Sequence, residues 1–86
     1  MTYRLQPDVV VKDVEDGAVL LDQRDGRYWQ LNRTGAAVLR LALEGRSPEE
    51  TTEALAAGRA DRAERVGSDV RALLGALAEA RLVVRA

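Results

Sequence analysis

Three observations predict an α+β fold in which a three-stranded antiparallel sheet is followed by three helices, in a winged helix-turn-helix-like arrangement. Two Asp-Gly dipeptides, Asp16-Gly17 and Asp25-Gly26, separate three short runs rich in β-branched and apolar residues. From Thr34 the apolar period changes from two to 3.6. Ser47-Pro48-Glu49-Glu50 then divides the helical half, because a Ser-x-x-Glu box with proline at the first helical position is a specific helix start.

The first strand is read over Val9 to Val14, a β-branched run after Pro7. Glu15-Asp16-Gly17 contains the first turn, and Ala18 to Asp22 form a mostly apolar second strand, as a central strand would be. Gln23 to Gly26 carry the second turn. Asp-Gly is a two-residue hairpin signal of type I′, which needs φ > 0 at both central positions. Arg27 to Leu31 form the third strand, which breaks into a helix start at Asn32-Arg33-Thr34. Two consecutive hairpins make a meander, with the second strand central and the first and third at the edges.

Ala36 to Leu43 is apolar around nearly its whole circumference, so the first helix is expected at the centre of the domain, stopped by Gly45 in the left-handed conformation. The second helix runs from Ser47 to Gly58. Asp61 or Ser68 can cap the third; the earlier start would place Gly67 inside the helix, at a cost of roughly 1 kcal/mol. Val66, Val70, Leu73, Leu74 and Leu77 make a clean apolar stripe at i, i+4, i+7, i+8 and i+11. Leu82-Val83-Val84 reads as a short closing strand or an apolar tail.

Composition limits the chemistry. A chain of 86 residues is expected to be one domain, 1–86, and 47% hydrophobic with 31% charged residues is the balance of a globular chain rather than a disordered one. Cysteine and histidine are both absent, which removes thiolate metal sites, a cysteine nucleophile, and the commonest general base and metal ligand. Catalysis would fall to scattered acidic residues, and Glu49-Glu50 are explained by capping and the helix dipole. No phosphate loop or nucleophile elbow is present. No cofactor or metal is therefore expected. Met1 to Val10 has no apolar signal-peptide core and no run approaches the ~20 apolar residues of a membrane span, so the expectation is a cytoplasmic protein with no membrane partner.

A winged-helix shape makes DNA binding the alternative function. From Ala60 to Arg81, however, four arginines meet four acidic residues, and Lys, Asn and Gln are missing. With a net charge of −1, attraction to a phosphate backbone is weak and no nucleic-acid partner is expected. An enzyme-class rival is a fragment of a larger synthetase complex sharing an active site. The aromatic residues point elsewhere. Tyr28 and the sole tryptophan, Trp29, stand on the third strand, whose outer edge is a template for another chain. Trp29 and Leu31 share one sheet face, read as core, and Tyr28 and Gln30 the other.

Asp25-Gly26-Arg27-Tyr28-Trp29-Gln30-Leu31-Asn32-Arg33-Thr34-Gly35-Ala36, then Leu39, Glu44-Gly45-Arg46-Ser47-Pro48-Glu49-Glu50, and Asp69 to Leu77 followed by Leu82-Val83, resemble the PqqD-like family. More narrowly, Tyr-Trp-Gln-Leu-Asn with Thr-Gly-Ala is similar to the stand-alone leader-recognition proteins of lasso-peptide biosynthesis. The resemblance spans nearly the whole chain and rests on combined spacing rather than on one motif. Arg81 stands where members often have glycine before the closing Leu-Val, and the Gly58 to Gly67 connection is rich in Arg and Ala. The resemblance implies a non-enzymatic domain that binds a precursor's leader peptide as a strand added to the third strand, against the third helix. It implies that Arg27, Tyr28, Trp29, Gln30 and Leu31, with Val66, Asp69, Val70, Leu73 and Leu74, bind the peptide. It also implies as partners a leader peptidase and a lasso cyclase, an ATP-dependent macrolactam synthetase.

Overall fold

A computed structural model describes residues 2–85. The elements run β1 (Tyr3–Leu5), β2 (Val9–Val14), β3 (Gly17–Asp22), β4 (Arg27–Asn32), α1 (Arg33–Leu43), α2 (Pro48–Ala56), α3 (Ala60–Glu79) and β5 (Val83–Arg85). The α+β, winged-helix-like architecture expected from the sequence is present. The sheet has the order β2-β3-β4, all antiparallel, with β3 central. The three predicted strands are therefore β2, β3 and β4.

Alternation decides which side of the sheet is core. Ala18, Leu20 and Asp22 of β3 are buried, while Val19 and Leu21 are half-buried on the opposite face. Leu20 faces Val11 on β2 and Trp29 on β4, and Ala18 faces Leu31. This face packs with Val38, Leu39 and Ala42 of α1 and Val70, Leu74 and Leu77 of α3 in one cluster. Leu20, Leu39, Leu74, Leu77 and Leu82 are the largest side chains fully withdrawn from water, so α1 is central as its sequence predicts.

Neither Asp-Gly turn is of the expected type I′. Asp16 and Asp25 keep negative φ; among the described non-glycine residues only Ala57 and Arg81 are positive. The first connection is Glu15-Asp16, with Gly17 already paired to Val14 at the start of β3. Glycine is needed there for space, since a Cβ at Gly17 would overlap the Leu31 carbonyl of β4. The second connection is a four-residue loop closed by the Gly26 N–H donating to the Asp22 carbonyl at 2.8 Å.

The helix ends follow local chemistry with two departures. Asn32 caps α1 by accepting from the Gly35 N–H at 2.8 Å, so strand passes to helix without a loop. At its far end the Gly45 and Arg46 N–H groups donate to the Ala42 and Leu41 carbonyls, a Schellman motif with Gly45 at φ 96°. The predicted capping box is formed: the Ser47 hydroxyl accepts from the Glu50 N–H at 3.0 Å and the Glu50 carboxylate accepts from the Ser47 N–H at 2.9 Å. Those bonds hold the Glu50 carboxyl below its ordinary range. α2 stops at Ala56, and Ala57 takes the left-handed conformation one residue before the expected Gly58.

α3 takes the longer of its two readings. It starts at Ala60 after Arg59, and neither Asp61 nor Ser68 is its cap. Gly67 lies inside and buried because α2 packs on it: a Cβ there would come 3.3 Å from Thr52 Cγ2. The helix ends in a second Schellman motif, with Arg81 and Leu82 N–H groups donating to the Ala78 and Leu77 carbonyls. Arg81, at φ 62°, holds the left-handed position that glycine would take without strain.

Leu82-Val83-Val84 resolves to a strand, since Val83–Arg85 form β5. Its partner is β1, an element the sequence does not announce, in the register Tyr3↔Arg85 and Leu5↔Val83. The pair brings Tyr3 and Val83 into the core. Three residues carry no readable period, and their partner lies about 80 positions away.

Replacing Arg81 by glycine relieves the left-handed strain while retaining the carbonyl that other groups bind. Arg81→Gly is expected to stabilise the fold by about 1 kcal/mol, net of the added freedom of the unfolded chain. For a chain of this size that is a rise in Tm of roughly 4–8 °C, read by thermal melting; an unchanged or lower Tm contradicts the strain assignment.

Candidate functional site

β4 pairs with β3 along one edge only, and its other edge has no strand neighbour among the described residues. The direct passage from β4 into α1 and the packing of α1 on the sheet leave α3 lying across from this free edge. Between them runs a groove of about 620 Å³. Its apolar lining is Leu31, Val38, Leu55, Val66, Val70 and Leu73, and Gln30, Asn32, Arg33, Thr34 and Asp69 bring polar groups to it. A second depression of about 500 Å³ lies between α2 and α3 around Thr52, Ala56, Ala63 and Gly67. No strand edge borders that one, so it offers no main-chain pairing.

The predicted site residues separate into three groups. Gln30, Leu31, Val66, Asp69, Val70 and Leu73 line the groove. Val66 and Leu73 are half-buried at its margin, while Val70 is 1% exposed and contributes only floor. Leu74, also 1% exposed, is core and does not line it. Its helical position, one residue past Leu73, turns it into the core cluster. Arg27, Tyr28 and Trp29 lie further along β4: Trp29 half-buried against the core, Tyr28 71% exposed on the opposite face. These three bring backbone to the site rather than groove walls.

Sequence reasoning missed Asp22, which sets how β4 sits relative to α3. Its side chain is 1% exposed. Arg24 Nε and Nη2 donate to its two carboxylate oxygens at 2.9 Å each, and the Arg24 N–H adds a third bond at 3.1 Å. Arg24 Nη2 also donates to the Arg81 carbonyl at 2.6 Å and Arg27 Nη2 to the Ala80 carbonyl at 3.3 Å, and Arg27 Nη2 forms an ion pair with Asp22 Oδ2 at 3.6 Å. Two guanidinium groups thus meet the C-terminal end of α3, where the helix dipole favours positive charge. The forked bond from Arg24 outweighs burial and lowers the Asp22 pKa to about 2, with Arg27 adding to the effect. The same bond holds Arg24 above its ordinary value. A strand-terminal aspartate two residues before an arginine was the available signal, with Asp22 read from the sequence only as the end of the second strand.

Among the described residues no cluster of acidic side chains is arranged to hold a metal ion, and no helix is long and apolar enough to cross a membrane. The site offers an open strand edge, an apolar floor and a polar rim, which together suit an extended peptide.

Residues 17–83 match the family described as Coenzyme PQQ synthesis protein D (PqqD). Two solved structures are similar over almost the whole chain. One, described as lasso peptide synthetase B1 complexed with the leader peptide, is 33% identical with a TM-score of 0.89, covering 99% of this chain and 100% of the other. The second, TbiB1 in complex with the TbiA(beta) leader peptide, is 32% identical with a TM-score of 0.81, covering 93% of each chain. No curated protein matches the chain.

The Asp22 cluster makes an acid-sensitive fold. A carboxylate whose folded pKa is about 2, against 3.8 ordinarily, contributes stability that is fully present above pH 4 and is lost as the pH falls towards 2. Thermal melts across pH 5 to 2 should show Asp22→Asn less stable than the parent at pH 5, with the difference shrinking by pH 2. A constant difference would place the effect outside the ionised carboxylate.

Proposed function

The chain belongs to the PqqD family, and from that premise we propose that it binds the leader segment of a ribosomally made precursor peptide as a strand added to β4. The single observation that carries this reading is the free β4 edge flanking the β4–α3 groove, in a fold shared with two proteins whose structures hold a leader peptide. Arg27 to Leu31 supply main-chain hydrogen bonds that tolerate sequence variation. Val66, Val70 and Leu73 accept a few apolar or aromatic leader side chains, and Asp69 and Gln30 meet polar ones. Residues 1–86 act as one recognition domain in the cytoplasm, without chemistry of their own. The rest of the precursor is presented to separate enzymes, a leader peptidase and a lasso cyclase.

Magnitudes support a binder of middling to high affinity. Each buried anchor contributes about 1.5–3 kcal/mol. Ordering a flexible leader costs about 2–5 kcal/mol. Three or four anchors with the strand bonds place Kd roughly between micromolar and nanomolar. DNA binding is not favoured, since α3 carries three arginines against four acidic residues and the groove floor is apolar.

Hydrogen exchange locates the ligand. On adding a leader peptide, amides of Arg27 to Leu31 should gain protection and those of Val9 to Val14, on the remote edge, should change little. Protection on β2 instead would mean the peptide adds to the other edge.

Substitutions on α3 separate groove from core. Leu77→Ala, at a fully buried position, should cost about 2–5 kcal/mol of stability through the cavity it leaves. Leu73→Asp should keep the fold more nearly intact and weaken leader binding about tenfold or more, because its carboxylate would be desolvated without a partner. Melting and leader affinity are measured for both. A Leu73→Asp variant that binds like the parent, or unfolds as readily as Leu77→Ala, sinks the groove assignment.

A further inference from the structure

Gly35 stands in the first turn of α1, where its backbone is buried and borders the β4–α3 groove. Nothing in the fold requires a glycine there. Its φ lies outside the positive region held by Gly17, Gly26, Gly45 and Gly58. Capping does not require it either, since Glu50, at the same third position of α2, carries a full side chain beside the Ser47 cap. A Cβ on Gly17 would overlap a carbonyl, but one on Gly35 would stop 3.3 Å from Asn32 Oδ1, 3.4 Å from Leu31 Cβ and 3.5 Å from Leu73 Cδ2. Only the first is tight, and a slight turn of the Asn32 side chain relieves it.

A glycine inside a helix is less stable than an alanine would be. Folding gives no reason for that loss, but the groove does. The three atoms a Cβ would touch belong to β4, to its terminal cap and to α3, so they mark the seam where the two groove walls meet. A methyl group there fills the seam or lifts half-buried Leu73 into the groove. Resting on the leader-binding reading, we propose that Gly35 is a specificity-determining residue, whose missing Cβ keeps open a pocket for one large apolar leader side chain, of leucine size or above.

A strand added to β4 sends every second side chain to the groove side. The one beside the end of β4, where Leu31 passes into the Asn32 cap, reaches the seam. There it meets the aliphatic groups of Leu31, Val38, Val70 and Leu73. With the seam filled, a small residue would still fit and the strand bonds would be unaltered. Gly35 therefore selects by size and not by charge.

The test measures melting and affinity for a synthetic peptide of the cognate leader. It compares the parent, Gly35→Ala and a control outside the groove, Gly75→Ala, whose Cβ would meet nothing within 4 Å. Both variants should melt at or above the parent temperature. Gly75→Ala should bind like the parent, and Gly35→Ala about tenfold more weakly, because an overfilled pocket displaces its ligand. Each large apolar leader residue is then cut to alanine in turn. At one position the truncation should weaken binding to the parent about tenfold and to Gly35→Ala under about threefold, the non-additivity of groups in contact. Losses that simply add at every position would overturn the proposal, as would unchanged leader affinity in Gly35→Ala. A Gly35→Ala variant that melts well below the parent would overturn it too, by assigning the glycine to packing. Indole, a probe that needs no leader, should shift the Val66 and Leu73 methyl resonances of the parent and not those of Gly35→Ala. If the parent binds no leader, the function reading falls, and the indole comparison still decides the pocket: shifts absent from the parent, or equal in both proteins, overturn it.

Discussion

The position of β4 relative to α3 depends on Asp22, a carboxylate buried at the end of the central strand. Strand β4 is tied to the rest of the sheet only through β3, and α3 reaches the sheet through its apolar stripe. Apolar packing sets distance but not angle. The forked Arg24–Asp22 pair, passed on to the Arg81 carbonyl, and Arg27, passed on to Ala80, supply directional bonds at one end of both elements. A buried carboxylate tolerates that place only with its bonds satisfied, so the hairpin and the helix end are held in one arrangement.

With that end pinned, the groove opens towards the other, where β4 becomes α1. Asn32 ends the strand and caps the helix in one residue, so the open edge and the helix start lie at fixed spacing. A peptide adding to β4 finds one wall of main-chain groups and one of apolar side chains. The first gives affinity without reading sequence, and the second does the reading. A domain lacking histidine and cysteine can serve a reaction in this way by positioning its substrate for enzymes that supply the chemistry.

Local signals in the chain were strong where the structure is local. The three sheet strands, the Asn32 helix start, the Ser47 box and the Gly45 stop depend on neighbours within a few positions, and each is found where the residues place it. The turn type was misread because an Asp-Gly pair admits several loops, and the space beside the Leu31 carbonyl, not the dipeptide, required Gly17. The α3 start was ambiguous because Gly67 looks costly until Thr52 of α2 is seen packed on it.

By itself the sequence determined the order of the three sheet strands and the three helices, the alternating faces of β4 and the apolar stripe of α3, because these are periodicities along one chain. It also excluded catalysis through histidine or cysteine, since absent residues need no coordinates. Only the tertiary structure decided the β1–β5 pairing, the burial of Asp22 and its hold on the end of α3. It likewise decided that Val70 is almost wholly buried while Leu73 stays half-buried beside the groove. Each of these depends on contacts between residues far apart in the chain, where closing distance and satisfying buried polar groups outweigh any local preference.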